Sequence, residues 1–188
     1  MSSLSVKPLN ETTWDAFAKL VEQEGGVWGG CWCIGFHLDP KGPKGQCRPH
    51  REAKYKLVCE GRGLAALVFD GEEAVGWCQY GRTDDLPNIK NRKNYEASLE
   101  SLPEWRIPCF YVGKQHRKRG VARVALTAAL EMISEAGGGL VEAYPFDVSQ
   151  GKTSSSFLHG GTLAMFLREG FEVDRQIGKT QWVVRKRI

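Results

Sequence analysis

A chain of 188 residues with a net charge of +4 and a balanced apolar and charged composition is long enough for one folded domain, 1–188, with its own core. No apolar run approaches the ~20 residues that a membrane helix needs, and Met1 to Asn10 lacks the basic-then-apolar order of an export signal. A membrane protein is thereby excluded and a cytoplasmic location expected. The basic excess gathers between Lys114 and Arg123 and at Arg185, Lys186 and Arg187, which fits local binding of a polyanion and argues against a broad nucleic-acid face.

Ser5 to Leu9 reads as a first strand, and Asn10 or Thr12 caps a helix through Glu24 with Trp14, Phe17, Ala18 and Val21 on one face. Residues 25–49 are broken by glycine and proline, yet they carry Trp28, Trp32 and Phe36, which are costly to leave in water. Such a loop folds over either a core edge or a substrate. Cys31, Cys33, His37, Cys47 and His50 have the chemistry of zinc ligands. Their spacing does not suit it: Cys-x-Cys is tighter than usual, and no second cysteine pair balances it. No metal is expected, and the six cysteines, Cys59, Cys78 and Cys109 among them, are expected to be free thiols.

Glu52 to Glu60 forms a second helix in this reading. Leu64–Phe69 and Ala74–Tyr80 flank an Asp70-Gly71 turn and make a hairpin. Arg82 to Glu104 is a polar connector with about one turn of helix. The most informative stretch follows. Ile107 to Val112 is an apolar strand, Gly113 to Gly120 a basic turn, and Val121 to Glu135 a helix striped by Val121, Val124, Ala125, Ala128 and Met132. A strand feeding a helix through such a turn points the helix's first N–H groups and its positive dipole end outward, making an anion site. Lys114, Arg117, Lys118, Arg119 and Arg123 surround it, so the ligand is expected to carry phosphate.

Gly137 to Gly139 stop that helix, and Leu140 to Tyr144 form the next strand, ended by Pro145. After a flexible tract, Asp147 to Ser156, a short helix starts at Gly161 or Thr162 with Leu163, Phe166 and Leu167 turned inward. Phe171–Arg175 and Thr180–Arg187 close the chain as strands. The expected fold is α/β (α+β), a mixed, mostly antiparallel central sheet flanked by helices in the order β-α-α-β-β-β-α-β-α-β-β.

Val112-x5-Arg117-x-x-Gly120-x-Ala122 resembles the acyl-coenzyme-A pyrophosphate loop of the GNAT superfamily of N-acyltransferases, and the whole element order is similar to that family's. The segment His159 to Phe171 resembles a second family motif, with Gly170-Phe171 aligned and Phe166 where the family commonly has a tyrosine that protonates the leaving thiolate. The resemblance implies acetyl-CoA as donor and direct transfer to the amine of a small-molecule acceptor; it leaves a homodimer open. It implies cofactor contacts at Phe110, Tyr111, Val112, Arg117, Lys118, Arg119, Gly120, Val121, Ala122 and His159, with the main chain of Phe110 to Val112 polarising the thioester. Trp28, Trp32, Phe36, Trp77 and Gln79 are expected to shape the acceptor pocket. Tyr144 and His159 are the catalytic candidates, and strand alternation leaves the direction of Glu142 open. Phe166 has no hydroxyl, so the alternative is a GNAT fold that binds acyl-CoA without turning it over.

Overall fold

The structure is a computed structural model that describes residues 4–25, 27, 30–38, 50–149 and 155–188. Its elements are β1 (Leu4–Pro8), α1 (Trp14–Gln23), α2 (His50–Cys59), β2 (Ala65–Asp70), β3 (Glu73–Arg82), α3 (Arg92–Ala97), β4 (Trp105–Val112), α4 (Val121–Glu135), β5 (Leu140–Ala143), α5 (Leu163–Arg168), β6 (Glu172–Gln176) and β7 (Trp182–Arg187). The strands form one sheet in the order β1-β2-β3-β4-β5-β7-β6. Among these strands only β4 and β5 pair in parallel; the other neighbours are antiparallel.

Alternation along the central strands sends side chains to two different cores. Val75, Cys78 and Tyr80 of β3 face α4, where Val121, Ala125, Leu126, Ala129 and Ile133 complete an apolar layer with Phe166 and Phe171. Ala74 and Trp77 face the other way, against Trp14, Phe17 and Val21 of α1, Val58 of α2 and Trp32. The buried stripe of α4 is rotated from the expected one: Val124 and Met132 lie at its margin, while Leu126, Ala129 and Ile133 sit inside. Alanine and threonine give weak hydrophobic contrast, so the periodicity left the helix's rotation loosely fixed. Leu167, expected inward, is 45% exposed, because α5 is a single short turn that buries only Phe166.

Two local features create an opening. Cys109 pairs with Gln79 but Arg106 pairs with Gly81, a one-residue register shift that places a bulge in β4 around Pro108. A proline has no N–H to give the ladder, so its place at the bulge follows from its chemistry. Beyond that point β4 and β5 part: they pair only at Trp105–Val141, Arg106–Glu142 and Ile107–Ala143.

Candidate functional site

The gap beside β4 is lined first by main chain. The Gly113 N–H donates to the Val75 carbonyl at 2.9 Å, and Tyr111 and Cys109 stand opposite Trp77 and Gln79. Along an antiparallel ladder alternate residues bond to the same neighbour. Tyr111 and Cys109 therefore turn their polar groups to β3 with Gly113, and those of Phe110 and Val112 point into the gap. The Val112 carbonyl accepts there from Arg117 Nε at 3.3 Å.

The chain then turns through a short 3-10 segment, Lys114–His116, and enters α4 with Lys118 at φ 61° and Gly120 at φ 81°. That left-handed backbone is what requires glycine at 120. A Cβ on Gly120 would meet no protein atom within 4 Å, so the space above the helix start is open. Gly76 does a different job: a Cβ there would lie 2.7 Å from the Tyr111 carbonyl and 2.9 Å from Val121, so its bareness lets α4 begin close against β3 and β4.

These parts enclose a cavity of about 490 Å³. Phe110, Tyr111 and Val112 form one wall. His116, Arg117, Lys118, Gly120, Val121, Ala122 and Arg123 form the basic end, and Leu158, Gly161, Thr162 and Met165 form the far side. All the residues proposed to hold the cofactor line it except Arg119 and His159. The positive charge is partly compensated. Arg119 pairs with Asp70 at 3.0 Å, Arg123 with Glu169 at 2.9 Å and Lys114 with Glu24 at 3.6 Å. Arg117 turns to the Val112 carbonyl at the mouth of the gap, and Lys118 makes no ion pair among the described residues. The site is a helix N-terminus, a left-handed turn and the cations of Arg117 and Lys118 at one end, and strand main chain at the other.

The remaining expected residues fall elsewhere. Tyr144 is buried in a small cluster with Ile89, Tyr95, Ile177 and Val183, its hydroxyl donating to Glu142 Oε1 at 2.8 Å and its ring set edge-on to Tyr95. Burial and the Glu142 charge hold its pKa well above the usual phenol value. Glu142 is itself fully buried and bound by Arg185 at 2.8 Å. His159 packs between Phe36 and Phe146, with ring centroids at 6.2 and 5.4 Å. Burial, reinforced by the Lys90 charge, lowers its pKa to about 4, so it is neutral at pH 7. Trp28 and Cys47 lie outside the described residues.

Trp32, Trp77 and Gln79 belong to the interior on the α1 side of the sheet. Trp32 stacks on Trp14. Trp77 sets its ring against Phe17 and Tyr111 and donates its indole N–H to Cys33 Sγ at 3.3 Å. Gln79 Nε2 donates to the Cys33 carbonyl and to His37 Nε2, both at 2.9 Å. His37 Nδ1 lies 2.8 Å from the Asp85 carbonyl and must carry the ring proton, which makes Nε2 an acceptor, also toward Lys54 Nζ at 3.3 Å. Burial and then the Lys54 charge push the His37 pKa down to about 3.

Lys54, fully buried, was given no role by the sequence. The signal for it is its place one turn before Val58, the other buried residue of α2. Among the described residues no His, Cys, Asp and Glu cluster could hold a metal ion. The described cysteines are free thiols.

The fold and this site define an acyltransferase-like α/β class, and comparison with known proteins gives the family. The chain belongs to the GNAT acetyltransferase family, whose sequence profile matches residues 33–149. Solved structures with a similar fold include a PaiA N-acetyltransferase from Thermoplasma acidophilum in complex with coenzyme A, at 11% identity and TM-score 0.55 over 99% of each chain. A protein from Corynebacterium glutamicum described as histone acetyltransferase HPA2 and related acetyltransferase has 17% identity and TM-score 0.58, covering 98% of this chain and 96% of its own. NAA60 of Arabidopsis thaliana in complex with acetyl-CoA has 13% identity and TM-score 0.54, covering 99% of this chain and 100% of its own. No curated protein sequence matches this chain.

Proposed function

We propose that this protein is an N-acetyltransferase that uses acetyl-CoA and passes the acetyl group directly to the amine of a small-molecule acceptor. The observation that carries this reading is the cavity in which the start of α4 and the gap-facing main chain of Phe110 and Val112 converge. Two fold relatives hold coenzyme A or acetyl-CoA, which supports the donor. When bound, acetyl-CoA supplies an activated thioester carbonyl.

In this reading the N–H groups at Gly120, Val121 and Ala122, with Arg117 and Lys118, bind the pyrophosphate. Phe110 and Val112 pair with the pantetheine arm as a neighbouring strand would, and an N–H of β4 donates to the thioester oxygen as charge gathers on it. The acceptor nitrogen forms its bond to the carbonyl carbon, the carbon–sulfur bond breaks, coenzyme A leaves as a thiolate that takes a proton from water, and the nitrogen's surplus proton must leave. His159, neutral at pH 7, can take that proton in passing, although a pKa of about 4 prevents it from keeping it. Tyr144 holds Glu142 and Arg185 in place at the end of β5. Phe36, beside His159, fronts the acceptor, and Trp32, Trp77 and Gln79 support residues 30–38 from behind. Among the described residues no helix is long and apolar enough to cross a membrane, and the reading places the enzyme in the cytoplasm.

One observation favours a second reading, a non-catalytic acyl-CoA binder. Phe166, where the family commonly has tyrosine, is fully buried against Phe110 and Phe171 at 5.8 and 5.0 Å and supplies no proton. Thiol release from acetyl-CoA, measured across a panel of small amines, separates the two. The enzyme releases thiol in proportion to an accepted amine and yields the N-acetyl product. Saturable binding of acetyl-CoA with no amine-dependent release across the panel would leave the binder.

A further inference from the structure

On the α3 side of the sheet lies a second cavity, of about 250 Å³, which shares no lining residue with the one over Gly120. Arg106 of β4 lines it and is only 3% exposed. Strand alternation explains how a guanidinium comes to be there. Trp105 and Ile107 face the α4 core, so Arg106, between them, points the other way, toward Tyr95 of α3. One terminal nitrogen donates to the Leu86 carbonyl at 2.7 Å and the other to the Tyr95 hydroxyl at 3.2 Å. The Arg106 Nε is buried and has no acceptor among the described residues.

A guanidinium is always charged and has five N–H donors, and both protein acceptors of Arg106 are neutral. Its surroundings do not balance it. The guanidiniums of Arg106, Arg175 and Arg185 gather near Tyr95 with two carboxylates, Glu142 and Asp174. Arg175 takes Asp174. Arg185 takes Glu142 at 2.8 Å and lies 3.7 Å from Asp174. Glu142 stands beside Arg106 in the β4–β5 ladder, but its two oxygens are bonded to the Tyr144 hydroxyl and to Arg185. Arg106 makes no ion pair among the described residues, and the cluster keeps one positive charge. Of the other charged groups at the cavity, Arg92 is bonded to Glu96 at 2.7 Å and to the Pro87 carbonyl at 3.1 Å, and Asp84 is exposed. A buried charge without a counter-charge is costly. The cavity also has an apolar lining of Ile89, Leu99 and Leu102. Leu102, at 59%, is the most exposed large apolar side chain among the described residues.

We propose that this cavity is a second binding site, for a small monocarboxylic acid with an apolar body, whose carboxylate supplies the counter-charge that Arg106 lacks. The carboxylate accepts the guanidinium hydrogens that Leu86 and Tyr95 leave over, a charge-assisted contact. The apolar body lies against Ile89 and Leu99 and covers Leu102. The volume falls just under the ~300–1,000 Å³ of pockets for drug-sized ligands, so the acid is smaller than those. One missing charge calls for a monoanion, and a phosphate dianion would bring surplus charge to a rim that already carries Asp84 and Glu96. The acid is either a plain one or an amino acid whose ammonium stands near Asp84. The site uses no part of the acetyl-CoA cavity and does not rest on the acetyl-transfer reading.

The test is a proton–nitrogen NMR spectrum of the arginine Nε–H groups in the full-length protein, assigned by through-bond connectivity. The protein is titrated with 4-methylpentanoate and, separately, with its neutral amide. The Arg106 signal should shift and saturate in the millimolar range with the acid and stay in place with the amide. Leu102→Asp changes an exposed side chain, so folding is spared. It removes apolar cover and adds a like charge, and should weaken binding of the acid about tenfold. Leucine, the same acid with an added ammonium, separates the two sources. Tighter binding than the plain acid assigns an amino acid held also by Asp84, and weaker binding assigns a plain carboxylic acid. The proposal is overturned if the Arg106 signal stays in place throughout, or if acid and amide shift it equally. It is overturned too if the acid moves only Arg117, Arg119 and Arg123, which would put it over Gly120, or if Leu102→Asp binds as the wild type does. The wild-type titration decides the site without any change at Arg106 itself.

Discussion

The two faces of β4 handle polar groups in opposite ways. Toward β5, the strand offers main-chain N–H and C=O groups of Phe110 and Val112 and a helix start whose first residues are Val121 and Ala122. Toward α1 and α2, Cys33, His37, Lys54 and Gln79 are joined by hydrogen bonds, with Trp77 donating to the Cys33 sulfur, and they fill the space. The first face is open and depends on backbone path more than on side-chain identity. The second is closed and depends on every side chain present. Substitutions on the first face should therefore change ligand binding with little effect on folding, and those on the second should do the reverse.

The largest expected effect on the closed face is Trp77→Ala. It removes a ring 1% exposed, and should cost about 3–5 kcal/mol in denaturant unfolding. A substrate-contact role for Trp77 instead predicts near-normal stability and a raised KM. Acid is the next lever. His37 and His159 have folded pKa values near 3 and 4, below the unfolded value of 6.5. Their neutral forms stabilise the fold fully above pH 6.5, and that contribution is lost as the pH falls toward 4, because the unfolded chain binds protons that the folded one refuses. Stability should drop by about 2–3 kcal/mol per pH unit across that window, read from urea midpoints at fixed ionic strength. A flat profile from pH 6.5 to 4 would contradict the assigned burial of both rings.

Phe166→Tyr tests the core behind the cavity. Because Phe166 is fully enclosed, the added hydroxyl should cost about 1–3 kcal/mol of stability and give no gain in turnover. A large rise in kcat would mean that position 166 reaches the leaving sulfur. On the open face, Arg117→Ala should weaken acetyl-CoA binding about tenfold in calorimetry while leaving the melting temperature of the free protein unchanged. Arg119→Ala should do least, under about 1 kcal/mol on either quantity, because its guanidinium is already committed to an exposed pair with Asp70. Equal losses at Arg117 and Arg119 would erase the distinction between them.

The stretch from β4 to α4 was legible in the sequence because its signals are local. An apolar run, a glycine at the point where the backbone turns left-handed, and a helical period after it each act over a few residues, and the start and end of α4 were read correctly. The same holds for the hairpin of β2 and β3, set by Asp70-Gly71. Side-chain facing was less legible. Trp32 and Trp77 were read as acceptor contacts because aromatic residues on a glycine-rich loop and a central strand suit either a pocket or a core, and only α1 packing over them decides. Lys54 was missed because a lysine in a polar helix ordinarily faces water, and its partners, His37 and Cys33, lie on a different element. Arg119 and Arg117 look equivalent in the sequence; what separates them is Asp70, 49 positions away in the chain.

The central claim is that acetyl-CoA occupies the cavity over Gly120. Thermal melting of the wild type and of Gly120→Glu, each with and without acetyl-CoA, tests it most directly. The glutamate side chain would project into the open space above the helix start and set a negative charge where phosphate belongs. At a ligand excess of ~100 times Kd the wild type should gain about 2.7 kcal/mol, a rise of about 5–10 °C, and the variant should show no rise above its own unliganded melting temperature, which the left-handed backbone at 120 lowers by about 2–8 °C. An equal rise in both proteins would place the ligand elsewhere, and no rise in the wild type would contradict acetyl-CoA binding at this site.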